Sequence, residues 1–274
     1  MNDELLARIA DALDRLAPPP PASADPLDHP AYLWRGGALI AARDFAPLSL
    51  GLLQGIDTQK AMLLKNLRRL ADRLPAHDAL LWGARGSGKS ALVKACVGQV
   101  QAEEGALALV DAAGDALDTL PALFTRLADL PRAFAVFIDD LGFGDGAGEG
   151  PRRLRSLLEG GAEARPGNVR LLVTANRRHI VPRDIAEQES AISARDVADD
   201  KLALADRFGL SLGFHVVDQA NYLAMIAGYA RAYDLAFEER DALEWATTRS
   251  SRSGRVAWQY VVELAGRQGR RIDR

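Results

Sequence analysis

A glycine-rich segment in the first third of the chain has the residue types and spacing of a phosphate-binding loop. Residues 83–90 read Gly-Ala-Arg-Gly-Ser-Gly-Lys-Ser and match the pattern G-x-x-x-x-G-K-S. Such glycines let backbone N–H groups converge on phosphate oxygens, and a helix that begins there adds a favourable dipole. We expect Lys89 to reach the β and γ phosphates of ATP, and Ser90 to bind Mg²⁺. The predicted nucleotide-binding residues are Gly83, Ala84, Arg85, Gly86, Ser87, Gly88, Lys89, Ser90 and Ala91.

Two aspartates follow a wholly apolar segment, Phe-Ala-Val-Phe-Ile at 134–138. A buried strand that ends in acids places carboxylates at the carboxyl edge of the sheet, where ligands bind in open α/β folds. Asp139 would hold a water bound to the magnesium, and Asp140 would orient or polarise the water that attacks the γ phosphate. The alternative is a strand that runs into an acidic turn.

A second apolar strand, 169–174, leads to Asn176. The Asn176 amide could hydrogen-bond the γ phosphate or the attacking water, or it could be an ordinary turn residue. The basic residues Arg177, Arg178 and His179 follow, and they form either a basic patch or the solvated start of a helix.

Two later arginines could also act on phosphate. Arg207, in Asp-Arg-Phe-Gly-Leu, could be presented at a subunit edge and neutralise charge in a neighbour's site. An intramolecular salt bridge, with Asp206 or Asp184, is the alternative. Arg255 could contact the γ phosphate from a helical domain, and that domain would then move with the nucleotide state. Alternatively, Arg255 could be a surface arginine.

These residues require elements that place them together. Apolar strands at 79–82, 106–110, 134–138 and 169–174 alternate with helices at 59–74, 90–102, 117–129 and 152–160, which predicts a doubly wound parallel α/β sheet. Helices alone follow, at 219–233, 238–249 and 255–268, and predict a small C-terminal helical lid domain. We therefore predict three parts: an N-terminal helix and Pro-rich linker (1–47), an α/β nucleotide-binding domain (48–217) and the lid (218–274). Within the first part, 31–50 is expected to pack on the main domain.

Composition excludes several other classes. The chain has 274 residues and a net charge of −3, which gives no overall basic field for nucleic acid. Neither a membrane-spanning apolar run nor a secretory segment is present in the sequence, so we expect a cytoplasmic protein without membrane contact. The single cysteine, Cys96, excludes an intramolecular disulfide and is expected to be a buried core residue. The four histidines lack metal-ligand spacing.

The order of these segments resembles that of the AAA+ ATPases over residues 48–268, and most closely a bacterial AAA+ family of unknown function. The resemblance is carried by 55–60, by the phosphate loop through Lys94, and by the segments around Asp139, Asn176 and Arg207. It implies the family's roles for the matching positions, which are Walker A (Lys89, Ser90), Walker B (Asp139, Asp140), sensor 1 (Asn176), arginine finger (Arg207) and sensor 2 (Arg255). It further implies that 53–56, including Ile56, line the adenine pocket, and that a homo-oligomer presents Arg207 in trans.

Many AAA+ members have glutamate where this chain has Asp140, whereas the pair Asp-Asp is similar to the replication-initiator and helicase-loader branch. The shorter side chain of Asp140 changes how the water is reached. Three hypotheses follow: an ATPase that remodels an unknown protein partner, a binding switch that hydrolyses ATP slowly or not at all, and a nucleic-acid loader. The basic residues at 177–179, 267 and 270–271 motivate the third, which the acidic net charge disfavours.

Overall fold

A seven-stranded sheet lies at the centre of the computed structural model, which describes residues 2–16, 23–141, 150–159, 165–176 and 206–272. The strand order is β2-β1-β4-β5-β6-β3-β7. All neighbouring strands are parallel except β1 and β2, which form an antiparallel hairpin. The strands are β1 (Ala31–Arg35), β2 (Ala38–Ala41), β3 (Ala79–Gly83), β4 (Leu107–Ala112), β5 (Ala133–Ile138), β6 (Val169–Asn176) and β7 (Leu210–Phe214).

Helices cover both faces of this sheet. Those in the described part of the chain are α1 (Asn2–Leu16), α2 (Asp57–Ala71), α3 (Lys89–Ala102), α4 (Leu120–Leu127), α5 (Gly150–Glu159), α6 (Gln219–Ala232), α7 (Glu239–Thr248) and α8 (Gly254–Arg267). Short 3₁₀ helices occupy Leu50–Leu52 and Gly114–Thr119. No helix in these described ranges combines the length and apolar character needed to cross a membrane.

The central strand β5 shows why the sheet needs two helical layers. All six of its residues are buried. Phe134, Val136 and Ile138 pack in a core that includes residues of α4, whereas Ala135 and Phe137 pack in a second core with residues of α2 and α3. Alternate side chains of a strand point to opposite faces, so both faces of β5 are covered. The predicted doubly wound α/β fold is confirmed.

The helices after β7 have a core of their own. Tyr222, Ile226 and Tyr229 of α6 pack with Trp258 and Tyr260 of α8. The rings of Tyr229 and Trp258 meet edge to face, with centroids 5.1 Å apart. Aromatic pairs in this geometry add to the stabilisation from burial.

The structure differs from the sequence interpretation in two places. Residues 31–41 were assigned to the helix-and-linker part (1–47), yet they form β1 and β2, and β1 pairs in parallel with β4. Tyr32 and Trp34 are buried because this pairing brings them into the sheet's main core. The sheet therefore extends beyond the predicted range 48–217. Likewise, Leu210 begins β7, which pairs with β3, although the sequence pattern predicted no strand between 174 and 219.

Candidate functional site

The glycine-rich loop connects the carboxyl end of β3 to the first turn of α3. Gly83 has a φ of +139° and lies against β7, where an added Cβ would come within 2.0 Å of the Phe214 carbonyl oxygen. Only glycine fits both the backbone conformation and the contact. The N–H of Ala84 donates to the same carbonyl at 3.2 Å, and the Ser87 hydroxyl donates to the Ala84 carbonyl at 2.7 Å. The loop is thus fixed to the sheet at its first two residues.

Lys89 is the buried cation of this loop. Its ammonium donates to the carbonyl oxygens of Gly83 at 3.0 Å and Ala84 at 2.8 Å. Burial lowers the pKa of Lys89, and the nearby carboxylates of Asp140 and Asp139 act in the opposite direction. Among the described residues the Lys89 ammonium forms no direct ion pair, so this buried charge favours an additional anion.

Ser90, the next residue, meets the end of β5. Its hydroxyl donates to Asp139 Oδ1 at 2.6 Å, and the hydroxyl of Thr174 on β6 donates to the same oxygen at 2.5 Å. Hydroxyl and carboxylate oxygens are the ligands that Mg²⁺ prefers. Ser90 and Asp139 therefore fit a magnesium ion by the chemistry of their donors. No group of three or more histidine, cysteine or acidic residues suited to a metal occurs among the described residues.

Asp140 is held by the neighbouring strand. Its N–H donates to the Thr174 hydroxyl at 2.8 Å, and its carboxylate accepts from the Asn176 amide at 2.5 Å. The backbone of Asp140 has a φ of +53°, an unusual conformation that aspartate tolerates better than most residues. The carboxyl ends of β3, β5 and β6 thus bring Lys89, Asp140 and Asn176 to one edge of the sheet.

Other predicted nucleotide-binding residues lie around this edge. Ala91 is in the first turn of α3, and Arg85 is exposed on the loop. Ile56 is buried at the start of α2. A Cβ placed on Gly88 would lie 3.8 Å from the Cδ1 atom of Ile56. This contact places Ile56 next to the phosphate loop.

The helical bundle also reaches the loop. The N–H of Gly254 donates to the Gly86 carbonyl at 2.9 Å. The preceding Ser253 is buried and caps α8, accepting from the Val256 N–H at 3.3 Å. Arg255 is the second residue of this helix and is exposed, and its guanidinium forms no hydrogen bond or ion pair with another described residue.

Arg207 lies elsewhere. Its guanidinium forms an ion pair with Glu159 at the end of α5, and Glu159 also accepts from Arg155 at 3.1 Å. These hydrogen bonds, from Arg155 first and then Arg207, lower the pKa of Glu159. The structure thus pairs Arg207 with Glu159, an acid that the sequence analysis did not suggest, whereas Asp184, one of the two acids that it did suggest, lies outside the described residues.

Sequence reasoning missed Thr174 as a member of the site. It is 1% exposed and joins Asp139 to Asp140 through one hydroxyl. The available signal was a polar residue that interrupts the apolar run of β6. Asp111 was also missed. It lies near the end of β4, where burial raises the pKa of its carboxyl group despite the nearby cation of Lys94.

Some predicted features lie outside the described residues. They are the basic residues Arg177, Arg178 and His179, and the prolines at 18–21 of the predicted linker.

The sheet order, the phosphate loop after β3 and the acids after β5 define a P-loop nucleotide-binding fold of the AAA+ class. A model of the family described as "Protein of unknown function (DUF815)" matches residues 27–268, and the chain belongs to that family. No curated protein sequence matches the chain.

Solved structures share the fold at low sequence identity. The Aeropyrum pernix ORC1 protein in complex with DNA superposes with a TM-score of 0.55 and 16% identity, over 79% of this chain and 61% of that one. The Thermotoga maritima RuvB Holliday junction branch migration motor superposes with a TM-score of 0.51 and 19% identity, over 78% of this chain and 63% of that one. A Saccharomyces cerevisiae Hsp104:casein complex superposes with a TM-score of 0.51 and 14% identity, over 78% of this chain and 38% of that one. The chain thus spans less than two thirds of each of these proteins.

Proposed function

We propose that the protein binds ATP with Mg²⁺ at the carboxyl edge of the sheet and hydrolyses it. The observation that carries this proposal is the hydrogen-bonded network that joins Ser90, Asp139 and Thr174 beside the buried ammonium of Lys89. This arrangement combines an ammonium that can bind phosphate with oxygen atoms that can bind magnesium. An acidic side chain at the same edge of the sheet can orient the attacking water. Bound magnesium would neutralise charge on the phosphates during their transfer to water.

The residues of the chain then have separate tasks. Backbone N–H groups of 84–91 and the Lys89 ammonium bind the phosphates, and Ile56 contacts the base. Ser90 and Asp139 would hold the magnesium ion. Asp140 accepts a proton from the attacking water, and the amide of Asn176 fixes the orientation of the Asp140 carboxylate. Arg255 reaches the γ phosphate from the helical lid.

Arg207 is proposed to act in a second copy of the chain. β7 pairs in parallel with β3, with Leu210 opposite Ala79 and Phe214 opposite Gly83. Arg207 precedes β7, whereas the phosphate loop follows β3, so the two lie at opposite ends of strands that are roughly 13 Å long. An arginine at the far edge can complete only a neighbour's site, which supports a homo-oligomer. Conformational changes of this homo-oligomer would act on a protein partner.

Phosphate release over a range of protein concentrations tests this function. Wild-type protein should hydrolyse ATP with a specific activity that rises with concentration. Lys89→Ala should abolish the activity, and Arg207→Ala should remove its concentration dependence while ATP still binds. If all three proteins stay at the background rate at every concentration, hydrolysis is refuted.

A slow or inactive ATP-dependent switch is the second candidate. One observation favours it, because the Asp140 carboxylate is short and is already bound by Asn176 at 2.5 Å. Comparing the ATP turnover of wild type and Asp140→Glu provides the test. If the protein is a switch that does not hydrolyse ATP, lengthening this acid has no turnover to change. Tight ATP binding with no turnover in wild type or Asp140→Glu would support the switch, whereas rapid wild-type turnover would exclude it.

A further inference from the structure

A cavity of about 490 Å³ lies at the amino edge of the sheet, where β3, β6 and β7 begin. Its charged lining residues are three arginines and two acids: Arg165, Arg170, Arg207, Asp78 and Glu159. The cations outnumber the carboxylates by one. This cavity is separate from the phosphate loop, which follows the opposite ends of the strands.

Arg165 contributes a donor that the protein does not satisfy. Its Nη2 binds Asp78 Oδ2 at 2.5 Å, and the other oxygen of Asp78 accepts from the Leu171 N–H at 2.8 Å. Arg165 Nη1 is buried and has no hydrogen-bond partner in the described part of the chain. Buried donors are nearly always paired, so this nitrogen indicates an acceptor that a ligand would supply.

Arg170 adds a second charge, and no carboxylate among the described residues pairs with it directly. Its guanidinium donates to the carbonyl oxygens of Ala76 and Val169, each at 2.6 Å. Burial lowers the pKa of Arg170, and the charge of Asp78 only partly offsets this effect. Asp78 is hydrogen-bonded to Arg165, so two guanidinium groups share one buried acid.

Arg207 closes the cavity at the surface. Glu159, which pairs with its guanidinium, is 47% exposed and also pairs with Arg155. An exposed ion pair of this kind contributes little to stability and exchanges readily. An incoming anion can therefore replace Glu159 without leaving a buried charge unpaired.

We propose that this cavity binds a phosphate group between Arg165, Arg170 and Arg207. Guanidinium groups bind phosphate through parallel N–H donors, and three of them match its several oxygens. The phosphate can be free inorganic phosphate or the terminal phosphate of ATP held by a second copy. The second source rests on the proposed function, and it makes Arg165 a phosphate ligand in trans beside Arg207.

Calorimetric titration with sodium phosphate at constant ionic strength tests the site. Lys89→Ala removes the main phosphate ligand of the loop and should leave binding to the cavity intact. Arg165→Lys keeps a cation beside Asp78 but removes the guanidinium fork, and should weaken phosphate binding at least tenfold. Glu159→Gln removes a competing anion and should strengthen it severalfold. Binding that is lost in Lys89→Ala and unchanged in Arg165→Lys would overturn the proposal, provided that circular dichroism shows both variants folded.

Mixed variants identify the source of the phosphate. Lys89→Ala protein supplies an intact cavity, and Arg207→Ala protein supplies an intact phosphate loop. If the mixture hydrolyses ATP faster than its components, and a Lys89→Ala/Arg165→Lys donor removes this gain, the neighbour's ATP is the ligand. A gain that survives in the double variant overturns this source and leaves free phosphate. The absence of any gain refutes the trans role of Arg207, while the titration still decides whether the cavity binds phosphate.

Discussion

Replacing Thr174 by valine tests whether one hydroxyl holds both aspartates of the candidate site. The hydroxyl donates to Asp139 Oδ1 at 2.5 Å and accepts the Asp140 N–H at 2.8 Å. Valine keeps the branched shape that a buried strand favours, but it removes both hydrogen bonds. A bond to a charged group contributes about 1.5–3 kcal/mol, and an unsatisfied buried N–H costs about 1–3 kcal/mol. Because both aspartates are exposed, we expect the lower ends to apply, a loss of about 2–3 kcal/mol in the free energy of unfolding.

Urea denaturation followed by circular dichroism measures this loss, and Thr174→Ser is the matched control. Serine keeps the hydroxyl and loses one methyl group, which should cost about 1 kcal/mol. A second assay compares ATP binding with and without Mg²⁺. Releasing the Asp139 carboxylate should weaken only the part of the ATP affinity that depends on Mg²⁺. A loss of about 1.4 kcal/mol in binding free energy would lower that affinity about tenfold. If valine and serine variants unfold at the same urea concentration and bind Mg²⁺·ATP alike, the hydroxyl does not organise the site.

Three other predictions concern the fold. Gly83→Ala should destabilise the protein by at least about 3 kcal/mol in urea, because its Cβ would strike a carbonyl oxygen of β7; Gly266→Ala, with open space in α8, should stabilise it by about 0.5 kcal/mol. Cys96 is buried, and burial raises its pKa to about 12, so a thiol reagent at pH 8 should modify it only after denaturation. Hydrogen bonds led by Arg68 lower the pKa of Glu103 from 4.5 to about 2. The stability advantage of wild type over Glu103→Gln should therefore be full above pH 4.5 and disappear as the pH falls towards 2, as measured by urea midpoints.

The central strands were predictable because each is apolar throughout, as burial on both faces requires. β1 and β7 were harder to predict. Tyr32 and Trp34 follow a proline-rich segment and become buried only through pairing with β4, a contact distant in sequence. In β7, Ser211 and Gly213 interrupt the apolar residues, because an edge strand needs fewer of them.

The site divides in the same way. The parallel-sheet rule predicts that residues after β3, β5 and β6 meet at one edge, and the structure brings Lys89, Asp140 and Asn176 together there. Sequence patterns carry no information about which polar groups pair across strands. The bridging role of Thr174 and the ion pair between Arg207 and Glu159 therefore required coordinates.

The helical bundle contacts the α/β domain at two places near the candidate nucleotide site. At the first, the N–H of Gly254 donates to the Gly86 carbonyl, and a Cβ added to Gly86 would lie only 2.9 Å from the Cβ of Ser253. At the second, a Cβ added to Gly55 would lie 2.6 Å from the side-chain oxygen of Asn221 in α6. Close-packed contacts of this kind transmit displacement because they leave no space to absorb it. A nucleotide that shifts the phosphate loop or the segment before Ile56 must therefore also shift the bundle, which is how binding at the sheet edge would become a movement of α6–α8.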